Sequence, residues 1–95
     1  MRWELRFTET ALNDLRKIPK SIRSQILKKT GWLSAHFDEI TPLPLLGKWQ
    51  GFCKLRAGDW RIIYEADWGK RYLYIHIIDN RKNVYERVIP KTRLT

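Results

Sequence analysis

Between Phe52 and Asp79 the chain runs through FCKLRAGDWRIIYEAD and RYLYIHIID, stretches dense in β-branched and aromatic residues and punctuated by glycine. Such a run demands a sheet, because these side chains pack well on a pleated, half-buried surface. Ala57-Gly58 and Trp68-Gly69-Lys70 are the turn positions, so the region reads as three antiparallel strands. At the N-terminus Trp3, Leu5 and Phe7 alternate with Glu4 and Arg6, the period-two pattern of another half-buried strand.

Helical spacing separates these β segments. Ala11, Leu12, Leu15 and Ile18 form one stripe behind Thr8, a residue suited to accept backbone N–H groups as an N-cap. Pro19 ends that run. Ile22, Ile26, Leu33 and Phe37 then share a second stripe, with Arg23, Lys28 and Lys29 elsewhere on the wheel. The segment DEITPLPLLGKWQG carries Pro42, Pro44, Gly47 and Gly51 and reads as a connector into the sheet, too short to link two domains. The tail NVYERVIPKTRLT has room for one helical turn before Pro90, after which Lys91 and Arg93 are expected to trail at the surface. The predicted fold is α+β in a single domain, 1–95. It has an N-terminal strand, a two-helix hairpin on one face of a mostly antiparallel four-stranded sheet, and a short C-terminal helix or tail.

Nineteen Lys and Arg against ten Asp and Glu give a formal charge of +9, so the surface steers anions toward it. Nucleic acid, an anionic membrane and an acidic protein all meet that condition. No apolar run approaches a membrane span, and MRWELRFTET lacks the apolar core of a signal peptide. Cys53 is the only cysteine, which excludes an internal disulfide and points to the reducing cytoplasm. Cys53, His36 and His76 cannot close a structural zinc site without carboxylates, so neither metal nor other cofactor is expected.

A two-residue turn at Ala57-Gly58 sets Arg56 opposite Asp59, Leu55 opposite Trp60 and Lys54 opposite Arg61. Cys53, Leu55, Trp60, Ile62 and Tyr64 then share a core face, while Phe52, Lys54, Arg56, Asp59, Arg61, Ile63 and Glu65 share the other. Like charges directly opposite one another are destabilising, so a Lys54–Arg61 pair asks for an anion between them, and a phosphodiester suits it. The alternative is that Asp59 and Glu65 compensate the cations on that face. Past the last strand, Arg81, Lys82 and Tyr85 stand where a rigid sheet presents functional groups. Val84, Val88 and Ile89 give this stretch a buried side that Tyr85 can instead join.

With these residues in place, the chain resembles the RelE/ParE superfamily of toxins from toxin–antitoxin pairs. The likeness covers nearly the whole sequence. A leading strand, a helical hairpin, LLGKW, KLRAGDWRIIYEAD and then RKNVYE follow the family's order of parts. The resemblance implies a ribosome-dependent endoribonuclease that binds messenger RNA in the ribosomal A site, beside ribosomal RNA, and cuts it by attack of the ribose 2′-hydroxyl. It implies Lys54, Arg61, Arg81 and Tyr85 as catalytic residues, with Arg56, Lys48 and Lys82 binding RNA. An antitoxin partner is implied too. Phe52 stands where RelE has a second lysine and Asn80 where many relatives have histidine, which leaves the general base unassigned. His76, within a strand, is expected to be structural rather than a replacement unless that strand bulges. A ParE-like gyrase inhibitor and a non-catalytic RNA- or DNA-binding module are the competing readings.

Such a reaction needs a proton acceptor for the 2′-hydroxyl and positive charge on the phosphorane-like transition state. Arg61 and Arg81 suit the second task, because guanidinium groups stay charged and present forked donors to phosphate oxygens. Lys54 is the candidate base or electrostatic helper. Tyr85 is positioned to stack on a base or bond the phosphate, with Trp49, Phe52 and Trp60 as further aromatic candidates.

Overall fold

The structure is a computed structural model that describes residues 2–94. Helix α1 (Glu9–Lys17) begins at Thr8, whose hydroxyl accepts a hydrogen bond from the Ala11 N–H at 3.2 Å. Glu9 in its first turn and Arg16 and Lys17 in its last complement the helix dipole. Its buried side differs from the expected stripe: Ala11, Asp14 and Leu15 face inward and Leu12 is 41% exposed. The carboxylate of Asp14 explains the rotation, because it accepts a hydrogen bond from the backbone N–H of Ile78 at 3.0 Å. Pro19 separates α1 from α2 (Lys20–His36), where Ile26, Thr30, Leu33 and Ser34 are buried.

Five strands form one sheet in the order β1-β5-β4-β3-β2. They are β1 (Glu4–Phe7), β2 (Leu43–Pro44), β3 (Cys53–Ala57), β4 (Trp60–Asp67) and β5 (Tyr72–Asn80). Only the β1–β5 pair is parallel. The strand beyond the expected four is β2, a two-residue edge within the presumed connector, where Leu43 pairs with Lys54 and Pro44 with Cys53. Pro42 and Pro44 keep it short, since neither has an N–H to donate.

The helices cover one face, where Ile26, Leu33 and Phe37 pack against Ile62, Tyr64, Leu73 and Ile75. A smaller cluster, Trp49, Phe52, Ile63, Ile77 and Val84, covers the other. It is roofed by the short 3-10 turns Gly47–Trp49 and Val84–Glu86, the second being the turn expected before Pro90. Full burial of a side chain such as Ile63 or Ile77 contributes about 1.5–3 kcal/mol relative to exposure, so this second layer is part of the fold.

The β3–β4 turn falls at Gly58-Asp59, one residue later than Ala57-Gly58. Gly58 has φ +61°, the positive value that the first central residue of a type II′ hairpin turn requires. Ala57 therefore faces Trp60, Leu55 faces Ile62, Lys54 faces Ile63, and Arg56 rather than Lys54 faces Arg61. Moving the loop by one residue shifts each partner by two, so the expected faces survive although the expected pairs do not.

Candidate nucleic-acid interface

The Gly58-Asp59 turn gathers the two arginines. Arg61 donates through Nη1 to the carbonyls of Gly58 at 2.8 Å and Trp60 at 3.0 Å, which folds its guanidinium back over the turn. Just past β5, the backbone N–H of Arg81 donates to the Asp59 carbonyl at 2.8 Å, and its Nε lies 3.6 Å from the Asp59 carboxylate. Both members of that ion pair are exposed, so the tether is weak and an incoming anion can replace it. Arg56, opposite Arg61, is exposed at the same end of the sheet.

Lys54 lies on the same face, opposite Ile63 and two residues back along β3 from Arg56. The floor beside these cations is apolar rather than open, because Phe52 and Trp49 are buried in the second cluster. Tyr85 rests on that floor with its ring edge-on to Trp49 at 5.9 Å, and it stays 38% exposed. It is thus both packed and presented. Lys48 and Lys82 are exposed on the two flanking turns. Trp60 packs against the helix-side core as expected, away from this surface.

Strand β5 bulges at His76, where the register passes from Ile63–Ile77 to Tyr64–Ile75. Alternation from Leu73 and Ile75 puts the His76 ring on the second face, and the bulge keeps Ile77 there too. His76 Nε2 meets the Glu65 carboxylate at 2.7 Å with both residues 2% exposed. Burial lowers the His76 pKa against the opposing pull of Glu65. Glu65 also accepts from the hydroxyl of Thr92 and the N–H of Arg93 at 2.9 Å. The tail is therefore fastened across this pair rather than trailing, and Glu65 has partners other than the surface cations. Asp59 alone of the two expected acids reaches one of them.

Arg87 went unnoticed in the sequence. Its guanidinium bridges Asp79 at 2.8 Å and Asp14 at 3.0 Å, binding the C-terminal segment to β5 and α1. These carboxylates hold its pKa up against burial. No local pattern marks such a clamp, since its partners lie 8 and 73 residues away. Among the described residues no group of His, Cys, Asp and Glu is arranged to hold a metal, and no helix is long and apolar enough to cross a membrane.

The sequence matches the family described as ParE toxin of type II toxin–antitoxin system, parDE, over residues 5–85. The chain belongs to that family and is a RelE/ParE-type toxin. Its fold is similar to a chain of the toxin–antitoxin complex RelBE2 from Mycobacterium tuberculosis, with 29% identity and a TM-score of 0.77 over 85% of this chain and 100% of the other. It is similar to the isolated Escherichia coli RelE toxin, with 26% identity and a TM-score of 0.67 over 88% and 92% of the two chains. An archaeal RelE–RelB complex from Pyrococcus horikoshii shares the fold at 20% identity, with a TM-score of 0.67 over 85% and 97%. Comparison with curated protein sequences gives no match.

Proposed function

We propose that this toxin is a ribosome-dependent endoribonuclease that cuts messenger RNA in the ribosomal A site. The observation that carries the reading is the convergence of Arg61 and Arg81 on the Gly58-Asp59 turn, beside Arg56 and on the face that holds Lys54. Arg61 and Arg81 stabilise the charge that builds on the phosphate as the 2′-hydroxyl attacks and the 5′-oxygen leaves. Tyr85 stacks on a flanking base and holds the nucleotide for in-line attack. Lys54 acts as base or electrostatic helper, and Arg56, Lys48 and Lys82 grip the strand's phosphates.

His76 takes no part, being buried under the tail. An antitoxin binds and silences the toxin, a reading supported by the toxin–antitoxin complexes among its structural relatives. The site of action is the cytoplasm, where translation occurs.

Mapping transcript ends in a purified translation system, with and without ribosomes, tests the reading. Cuts within translated codons are expected with ribosomes present. Arg81→Ala should lower cleavage by about 10²–10³, the usual cost of one preorganised donor, and leave the unfolding curve nearly unchanged. Arg61→Ala should lower cleavage similarly and also lose about 1 kcal/mol of stability, because it removes hydrogen bonds to the turn. Intact transcripts with DNA damage would instead mark a gyrase inhibitor, and neither effect would mark a passive binding module.

A further inference from the structure

Strand pairing sets Arg61 on β4 directly opposite Asp79 on β5, so the two side chains leave the same face of the sheet. Opposite charges in facing positions attract one another and ordinarily pair. Here they do not. Among the described residues Arg61 has no salt bridge, and its Nη1 donates instead to the carbonyls of Gly58 and Trp60. Asp79 is engaged elsewhere: one carboxylate oxygen accepts from the N–H of Asn80 at 2.7 Å and the other from Nη1 of Arg87 at 2.8 Å.

Arg87 is itself anchored, because its Nη2 donates to both carboxylate oxygens of Asp14, at 3.0 and 3.2 Å. Asp14 is 8% exposed and also holds the N–H of Ile78, so it fixes where the Arg87 fork sits. The other acids of this face are occupied as well, Asp59 by Arg81 and Glu65 by His76, Thr92 and Arg93. A carboxylate on Arg61 would take up the forked donors that a phosphate needs. Arg87 lies between two carboxylates with its side chain only 29% exposed, which makes it a poor phosphate ligand in its own right.

We infer that Arg87 is a positioning residue for cleavage: it holds the Asp79 carboxylate off Arg61 and so leaves the Arg61 guanidinium free for the scissile phosphate. The inference rests on the proposed reading of Arg61 as a phosphate-contacting catalytic residue. Without Arg87, Asp79 keeps only the Asn80 N–H and turns to the cation across the strand. Arg61 is then neutralised although every other residue of the site is still present.

Arg87→Ala, Asp79→Asn and the double variant test this as full-length toxin. Cleavage is measured in the translation system, and binding of an uncleavable 2′-O-methylated RNA is measured across salt concentrations. Arg87→Ala is expected to lower cleavage at least about tenfold. Its salt slope should shrink by about 0.7, the share of one phosphate contact. Asp79→Asn alone should stay near the parent, because Arg87 keeps Asp14. In the double variant no carboxylate faces Arg61, so cleavage and slope should both return to near the parent values. A residue that merely braces the C-terminal segment gives no such rescue. A double variant as impaired as Arg87→Ala, or an unimpaired Arg87→Ala, therefore overturns the inference. Should Arg87→Ala not fold, Arg87→Gln, whose amide still donates to Asp14, takes its place in both arms. If wild-type toxin cuts no RNA, the nuclease reading fails while the slopes still report whether Arg87 frees Arg61.

Discussion

Arg61 and His76 show how far residue type alone reveals role. Arg61 was legible as a cation on the outer face because strand alternation fixes its side, and the structure keeps it there with its guanidinium over the turn. His76 is expected to be structural unless its strand bulges; the strand does bulge there, with no local signal in YLYIHIID, and the ring is nonetheless buried against Glu65. Its burial with Glu65 carries a pH dependence. Its pKa lies below the ordinary 6.5, so as pH falls the unfolded chain takes up the proton first and stability declines below about pH 6.5. The midpoint of thermal unfolding should therefore drop between about pH 7.5 and 5.5, and His76→Gln, which still donates to Glu65, should flatten that drop. Asp38 cannot produce the effect, because its pKa is already lowered from 3.8 by hydrogen bonds from Arg71 and Trp3 and its loss lies at more acid pH. Parallel declines in parent and variant would remove His76 as the cause.

At the scale of elements, strands and helices were legible from their periodicity, whereas the turn register was not. Both Ala57-Gly58 and Gly58-Asp59 close a two-residue hairpin with Gly58 at positive φ, and it is the pairing of Ala57 with Trp60 that places Gly58 first in the turn. A Cβ added at Gly58 meets nothing within 4 Å, so Gly58→Ala tests backbone conformation without a clash. It should cost about 1–2 kcal/mol. The carbonyls that hold Arg61 and Arg81 move with the turn, so cleavage should fall by about tenfold as well. Gly31 in α2 is equally free of contacts, but its φ is not positive, and Gly31→Ala should stabilise by about 0.5–1 kcal/mol. Thermal melts of the two variants check the contrast, and shifts of the same sign would refute the account of Gly58.

For the whole molecule, net charge pointed to an anionic partner, but it could not say that the cationic face has an apolar floor. Trp49, Phe52, Ile63, Ile77 and Val84 come together only after two short turns fold back over the sheet, and the Arg87 clamp and the Glu65 anchor hold the tail in the same way. The consequence is that cations are displaced to the rim, where Lys54, Arg56, Arg61 and Arg81 share one stretch of surface instead of being spread over it. If four of them neutralise phosphates of a single strand, the logarithm of the binding constant should fall against the logarithm of salt concentration with a slope of about −3, since each phosphate contact contributes about −0.7. A 2′-O-methylated single-stranded RNA, which binds without being cut, allows the measurement by fluorescence anisotropy. Alanine at any one of the four should reduce the slope by about 0.7, whereas Lys17→Ala, on the last turn of α1, should leave it unchanged. Equal slopes for all five variants would mean that RNA is held by diffuse charge over the whole surface, and the clustering of arginines at the Gly58-Asp59 turn would then have no bearing on how the strand is bound.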